Sequence, residues 1–245
     1  IQADLKTFQR FGVFGTTAVT AITAQDTTGI RGVHPVPLDL VRAQIDTVSE
    51  DLRPSAVKSG MLATSALVRT VATAIEDHGL SRYVLDPVMV SSTGTRLLEE
   101  DAVDSVSKHL LPLAWLVTPN LDEARILTGL GVVGERGQSE AARRLVEMGA
   151  RAALVKGGHA EGSEVADFYW SGSVERIWRR PKLPARNTHG TGCTLSAAIT
   201  AGLAQGRAME ESIEHALAYV ESAIRTAPGL GEGIGPVNHF AEARL

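Results

Sequence analysis

Apolar positions along this chain come in two alternating kinds of segment. Short β-branched or fully apolar runs predict strands, and longer stretches with an apolar residue every three or four positions predict helices. Thr17–Thr23 is a β-branched run and predicts a strand, and Leu38–Leu52 has helical spacing. Ala56–Ser59 predicts a short strand leading into Gly60-Met61, followed by a helix over Leu67–Asp77. Tyr83–Leu85 predicts a buried strand ending at Asp86-Pro87, and Val103–Leu110 a helix. Trp115–Val117 predicts a strand ending at Thr118-Pro119-Asn120, Glu140–Met148 a helix, and Ala152–Val155 a strand ending at Lys156-Gly157-Gly158. Strand and helix alternating at this spacing predict βαβ units and a mostly parallel sheet covered on both faces. Val165–Trp170 and Val174–Arg179 break the rhythm; they flank the turn Ser171-Gly172-Ser173 and predict an antiparallel hairpin. Helices over Thr194–Leu203 and Met209–Thr226 follow. No linker, low-complexity stretch or repeat interrupts the pattern, so residues 1–245 are expected to form one domain.

In such sheets ligands bind beyond the carboxyl ends of the strands. Gln25, Gly60-Met61, Asp86-Pro87, Asn120 and Lys156-Gly157-Gly158 all fall at predicted strand ends, and their clustering says more than any one of them. Composition narrows the field. A net charge of −4, without a basic cluster interleaved with aromatics, argues against nucleic acid as a partner. No apolar run approaches the roughly 18 residues needed to span a membrane. The single cysteine, Cys193, cannot form an internal disulfide. Cytoplasm is the expected location. The seven histidines show no metal-ligand spacing, His159 and His189 included.

The most informative stretch is Asn187-Thr188-His189-Gly190-Thr191-Gly192-Cys193-Thr194, which runs into small residues of helical character. A glycine-rich turn feeding a helix N-terminus aims several N–H groups outward, with the partial positive charge of the helix dipole behind them, and suits phosphate. Taken alone, a Gly-x-Gly before a helix is equally a helix cap. No Gly-Lys-Ser/Thr follows, so this is not a Walker A loop. Cys193 sits in the first turn, where a helix N-terminus lowers a thiol pKa and a thiolate could take a proton from an attacking alcohol. A lone cysteine is otherwise a small buried hydrophobe. Asn120 with Glu123 three residues on is nearly a capping box and proves little by itself. Asp86 before Pro87 could cap a strand end, Lys156 could be a solvated loop residue, and Met61 could be core.

The stretch from Asn187 to Thr194 closely resembles the ATP-site signature of the hydroxymethylpyrimidine/phosphomethylpyrimidine kinases of thiamine synthesis, members of the ribokinase-like superfamily. Further blocks resemble the family in order: Ile1–Thr7, Ala21–Gln25, Lys58–Leu62, Leu85–Met89, Val117–Glu123, Val155–His159 and Gly233–Pro236. They span the chain, which begins inside the family's opening run. The resemblance implies a ribokinase-like α/β fold with no separate lid domain, and a first strand with a Gly/Ser-rich loop preceding Ile1.

It also implies roles. Gly190, Thr191 and Gly192 would form an anion hole around the transferring phosphoryl group, with Cys193 as base. Asn120 and Glu123 would organise Mg²⁺ and its waters, with Asp86 as a second metal residue. Lys156, Asn120 and Thr188 would bind ATP. Asp4, Gln25, Met61 and Val88 would hold the pyrimidine, Gln25 by hydrogen bonds to the ring edge. The implied reaction is ATP-dependent phosphorylation of 4-amino-5-hydroxymethyl-2-methylpyrimidine and then of its monophosphate, by a homodimer. Pyridoxal kinase of the same branch, or a relative that binds ligand without catalysis, are the alternatives.

Overall fold

A computed structural model describes residues 1–89, 98–158 and 163–243. Its elements, in chain order, follow the predicted alternation. Helix α1 (Gln2–Arg10) comes first, followed by an antiparallel hairpin of β1 (Ala21–Gln25) and β2 (Ile30–Pro35). Then come α2 (Leu38–Leu52), β3 (Val57–Ser59), α3 (Ser65–Asp77) and β4 (Tyr83–Leu85). After α4 (Glu100–Ser105) the chain passes β5 (Leu116–Val117), α5 (Leu121–Thr128), α6 (Gly134–Glu147) and β6 (Ala153–Val155). The hairpin β7 (Glu164–Trp170) and β8 (Glu175–Pro181) precedes α7 (Thr191–Ala204) and α8 (Met209–Arg225).

The central sheet runs β3-β4-β5-β6-β7-β8. It is mixed: β4, β5 and β6 are parallel, and β7 and β8 add antiparallel strands at one edge. The parallel strands are buried throughout, as their continuous apolar runs require. No helix of the described residues is long and apolar enough to cross a membrane.

The chain divides into two compact units. One comprises Ile1–Lys58 and the described residues from Leu183 onward; the other comprises Ser59–Met89 and Leu98–Lys182. In the first, the small residues of α7 let it sink between neighbours, so that Thr194–Leu203 is buried all round against α8 and α1. Phe11, just past α1, meets Tyr219 of α8 edge to face, with ring centroids 5.2 Å apart. In the second, α6 lies over β6 and β7, with α5 beside it. Thr64 caps α3 by accepting from the amide of Leu67 at 3.2 Å.

Several elements depart from the sequence expectation, the unpredicted helices α1 and α5 among them. The strand expected over Thr17–Thr23 begins only at Ala21. Ahead of it, Gln44 of α2 stands in for a neighbouring strand: Val19 N–H donates to its Oε1 (2.9 Å) and its Nε2 donates to Val19 O (3.1 Å). The partner strand β2 was not predicted, although Asp26-Thr27-Thr28-Gly29 carries its turn. The Asp26 carboxylate accepts from the amides of Thr28 (2.8 Å) and Gly29 (3.1 Å), which makes an Asx turn. The helix expected over Val103–Leu110 is α-helical only to Ser105, then widens to a π turn (Val106–Leu110) and tightens to a 3₁₀ turn (Leu111–Leu113). Pro112 has no N–H to continue it.

Candidate active site

At the carboxyl ends of β4, β5 and β6 stand Asp86, Asn120 and Lys156, as the strand-end reasoning expected. Asp86 is only 1% exposed, and its Oδ1 accepts from Lys156 Nζ (3.1 Å) and Thr118 Oγ1 (3.3 Å). Lys156 is therefore an ion-paired residue rather than a solvated loop lysine, and Asp86 carries a charge partner rather than serving only as a strand cap. Asn120 and Glu123 form a full capping box on α5: Glu123 N–H donates to Asn120 Oδ1 (2.9 Å) and Asn120 N–H donates to Glu123 Oε2 (2.8 Å). The Lys156 backbone continues the parallel ladder past the strands, bridging to Asn120 and donating to Pro119 O at 2.8 Å.

Glu123 is buried, and burial pushes its carboxyl up to about 7 from an ordinary 4.5. Lys156 pulls the other way, and the charge of Asp86 adds to the rise. The folded chain thus holds a proton on Glu123 more tightly than the unfolded chain does. Stability should fall as pH rises from about 4.5 through about 7, the opposite of the usual carboxylate behaviour. Urea midpoints taken between about pH 5 and pH 8 should show this slope, and Glu123→Gln should flatten it. A slope that survives the substitution would assign it to another group.

The glycine-rich turn lies in the first unit. Gly190 is the N-cap of α7 at φ 81°, a left-handed conformation that a side chain would strain. Thr191 folds back, with N–H and Oγ1 both donating to Thr188 O (3.2 and 2.6 Å), and Thr194 N–H donates to Gly190 O (2.8 Å). These bonds fix the first turn of α7, which carries Gly192 and a half-buried Cys193. Thr188 is exposed. Thr194 is buried, with its hydroxyl 3.1 Å from His239 Nε2. The Gly233–Pro236 block braces this turn. His189 N–H donates to Gly235 O (3.0 Å), and Ile234 N–H donates to Thr27 O in the β1–β2 turn (2.9 Å). Gly235 has no room for a Cβ, which would stand 2.4 Å from Asn187 Oδ1. His189 is half-buried, and that burial lowers its pKa.

The residues expected to hold the ring divide between the units. Asp4, on α1, accepts from Lys58 Nζ at 2.9 Å, and Lys58 is almost wholly buried. Gln25 ends β1 at a register irregularity and is exposed. Met61 and Val88 are half-buried in the second unit, where Val88 lines a small apolar cavity with Gly60, Leu62 and Met89. His159 lies outside the described residues. Sequence reasoning gave no role to Lys58 or Thr118. Their partners are 54 and 32 residues away, and no local pattern carries that information.

The sequence model of the phosphomethylpyrimidine kinase family matches residues 1–238. The chain belongs to that family. The kinase is 43% identical over 245 residues to the hydroxymethylpyrimidine/phosphomethylpyrimidine kinase of Bacillus subtilis, covering all of this chain and 90% of the relative. It is 46% identical over 243 residues to the enzyme of the same name from Rhizobium meliloti, covering 98% of this chain and 91% of that one. A solved neighbour is the pyridoxal kinase of Staphylococcus aureus in complex with ADP, with a TM-score of 0.92 and 35% identity, covering 100% of this kinase and 89% of that chain. The fold is therefore the ribokinase-like α/β fold expected from the sequence.

Proposed function

We propose that this kinase transfers the γ-phosphoryl group of Mg-ATP to the hydroxymethyl oxygen of 4-amino-5-hydroxymethyl-2-methylpyrimidine, and then phosphorylates the monophosphate to the diphosphate, in thiamine biosynthesis. The observation that carries this reading is the match, over 100% and 98% of this chain and 90% and 91% of the relatives, to proteins bearing that name. The unbroken family match over residues 1–238 also supports treating the chain as one kinase domain. Cytoplasm, where ATP is abundant, is part of the same reading.

The roles follow from what each group can do. The substrate hydroxyl attacks the γ-phosphorus, its proton passes to the Cys193 thiolate, and the bond to the β-phosphate oxygen breaks to release ADP. Gly190 and Gly192 offer backbone N–H groups at a helix N-terminus to the transferring group, and the N–H of Thr191 joins them on release from Thr188 O. Lys156, Asn120 and Thr188 contact ATP. Asp86 and Glu123 are buried hard-oxygen donors, and such oxygens suit a divalent cation. Among the described residues no group of three or more His, Cys, Asp or Glu is placed to cage a metal. Two carboxylates that leave further positions to water and phosphate are the usual Mg²⁺ arrangement. Bound there, Mg²⁺ neutralises charge on the phosphates.

Asp4, Gln25, Met61 and Val88 are assigned to the pyrimidine. The exposed amide of Gln25 has no side-chain partner among the described residues and can bond the ring edge. Gln25→Leu should weaken pyrimidine binding by about 1–3 kcal/mol, since the bound ring loses its partner, while ATP binding stays unchanged. Calorimetric titration of each ligand separates these, and an unchanged pyrimidine Kd removes Gln25 from the site.

A homodimer is part of the reading. The β1–β2 hairpin leaves Ile22 61% and Val33 43% exposed, and two strands alone are marginal in water. Pyridoxal is the second substrate reading, favoured by the structural likeness to a pyridoxal kinase. Comparison of kcat/KM for the two alcohols decides between them: the pyrimidine should be preferred, and a preference for pyridoxal would move the assignment.

A further inference from the structure

The backbone that presents Lys156 sits where the β6–β7 ladder stops. Val155 pairs with Phe168, and among the described residues no pairing of these two strands continues beyond it. Backbone groups left over at such a point must find partners or stay unsatisfied in the interior. Here buried side chains supply them. Gln138 of α6, 3% exposed, donates its amide to the carbonyls of Val155 (3.1 Å) and Ala166 (2.8 Å). Asp167 of β7, 2% exposed, accepts from the N–H of Gly157 at 2.9 Å and is itself held by the guanidinium of Arg180 on β8. No side chain fits at Gly157, where a Cβ would stand 2.0 Å from Ala166 O. From the other side, Lys156 N–H is held by Pro119 O. The backbone on the two sides of Lys156 is thus held between the end of β5 and a polar clamp made by α6, β7 and β8.

We propose that Asp167, supported by Arg180 and Gln138, is a positioning residue for Lys156. Without it the backbone on the Gly157 side of Lys156 would lose its tie to β7, and the ammonium would lose its fixed approach to Asp86 Oδ1. A phosphate contact depends on placement to within about 0.5 Å, which backbone freed at Gly157 does not hold. The inference rests on the reading of Lys156 as an ATP contact.

Steady-state kinetics of the full chain test it. Asp167→Ala should raise the KM for ATP roughly threefold to thirtyfold and leave the KM for the pyrimidine alcohol unchanged. Asp167→Asn keeps an acceptor for Gly157 and should recover most of the loss. On a Lys156→Ala background, Asp167→Ala should add nothing further to the KM for ATP, because both act through one ammonium. If Asp167→Ala does not fold, Arg180→Gln should give the same split in smaller measure. A loss of thermal stability with both KM values unchanged would overturn the inference, as would effects that add in the double variant. If Lys156→Ala raises the KM for ATP and Asp167→Ala does not, the inference alone fails. If Lys156→Ala leaves that KM unchanged, the phosphate role of Lys156 fails and takes the inference with it.

Discussion

Cys193→Ala is expected to lower kcat roughly 10²–10⁴-fold, the usual contribution of a positioned general base. The thiol lies in the first turn of α7, immediately after the Gly190 cap, where backbone N–H groups and the helix dipole favour a negative charge. Those N–H groups belong to the backbone, so ATP affinity should survive the substitution. Cys193→Asp is the more telling variant. A carboxylate can also take the proton, so part of the activity should return. Alkylation should inactivate the wild type, with ATP and pyrimidine together slowing the loss. A near-normal kcat in Cys193→Ala would leave the thiol as packing, and the hydroxyl proton would then pass to water or to phosphate.

Lys156→Ala should have two large effects. It removes the ammonium that stands 3.1 Å from buried Asp86, beside Glu123, whose carboxyl already resists charging. Breaking a buried ion pair by removing one partner typically costs about 3–5 kcal/mol. The cost should be greatest near pH 8, where Glu123 is charged as well, and smaller near pH 6, where Glu123 keeps its proton. On the proposed role of Lys156, charge-assisted contact with ATP is lost too, so ATP affinity should drop while the pyrimidine Kd holds. Denaturation at both pH values and titration with ATP read the two effects separately. Unchanged stability and unchanged ATP affinity would return Lys156 to the status of an ordinary surface lysine.

Much of this was legible in the sequence where the signal is local. The apolar runs at Tyr83–Leu85 and Ala152–Val155 marked buried parallel strands, and the polar groups ending them marked the cluster of Asp86, Asn120 and Lys156. Asn120 and Glu123 announced their capping box through a three-residue spacing. The two glycines around Thr191 announced the left-handed cap of α7. What stayed hidden depends on partners distant in sequence. Lys156 finds Asp86 across 70 residues, and Asp167 finds Gly157 only because β7 folds back on β6. The start of β1 was displaced by a side chain, Gln44, that imitates a strand, and no propensity or period encodes such a contact. Helix α1 was read only as part of a family block, and its amphipathic character went unused.

The central claim is the phosphorylation of a pyrimidine alcohol, and phosphorus NMR of the products tests it most directly. With the full-length enzyme, Mg-ATP and 4-amino-5-hydroxymethyl-2-methylpyrimidine, a phosphomonoester resonance should grow first, then give way to a diphosphate as ADP accumulates. Removal of Mg²⁺ by chelation should stop both steps. ATP left intact beside unmodified pyrimidine, under saturating Mg²⁺, would contradict the account.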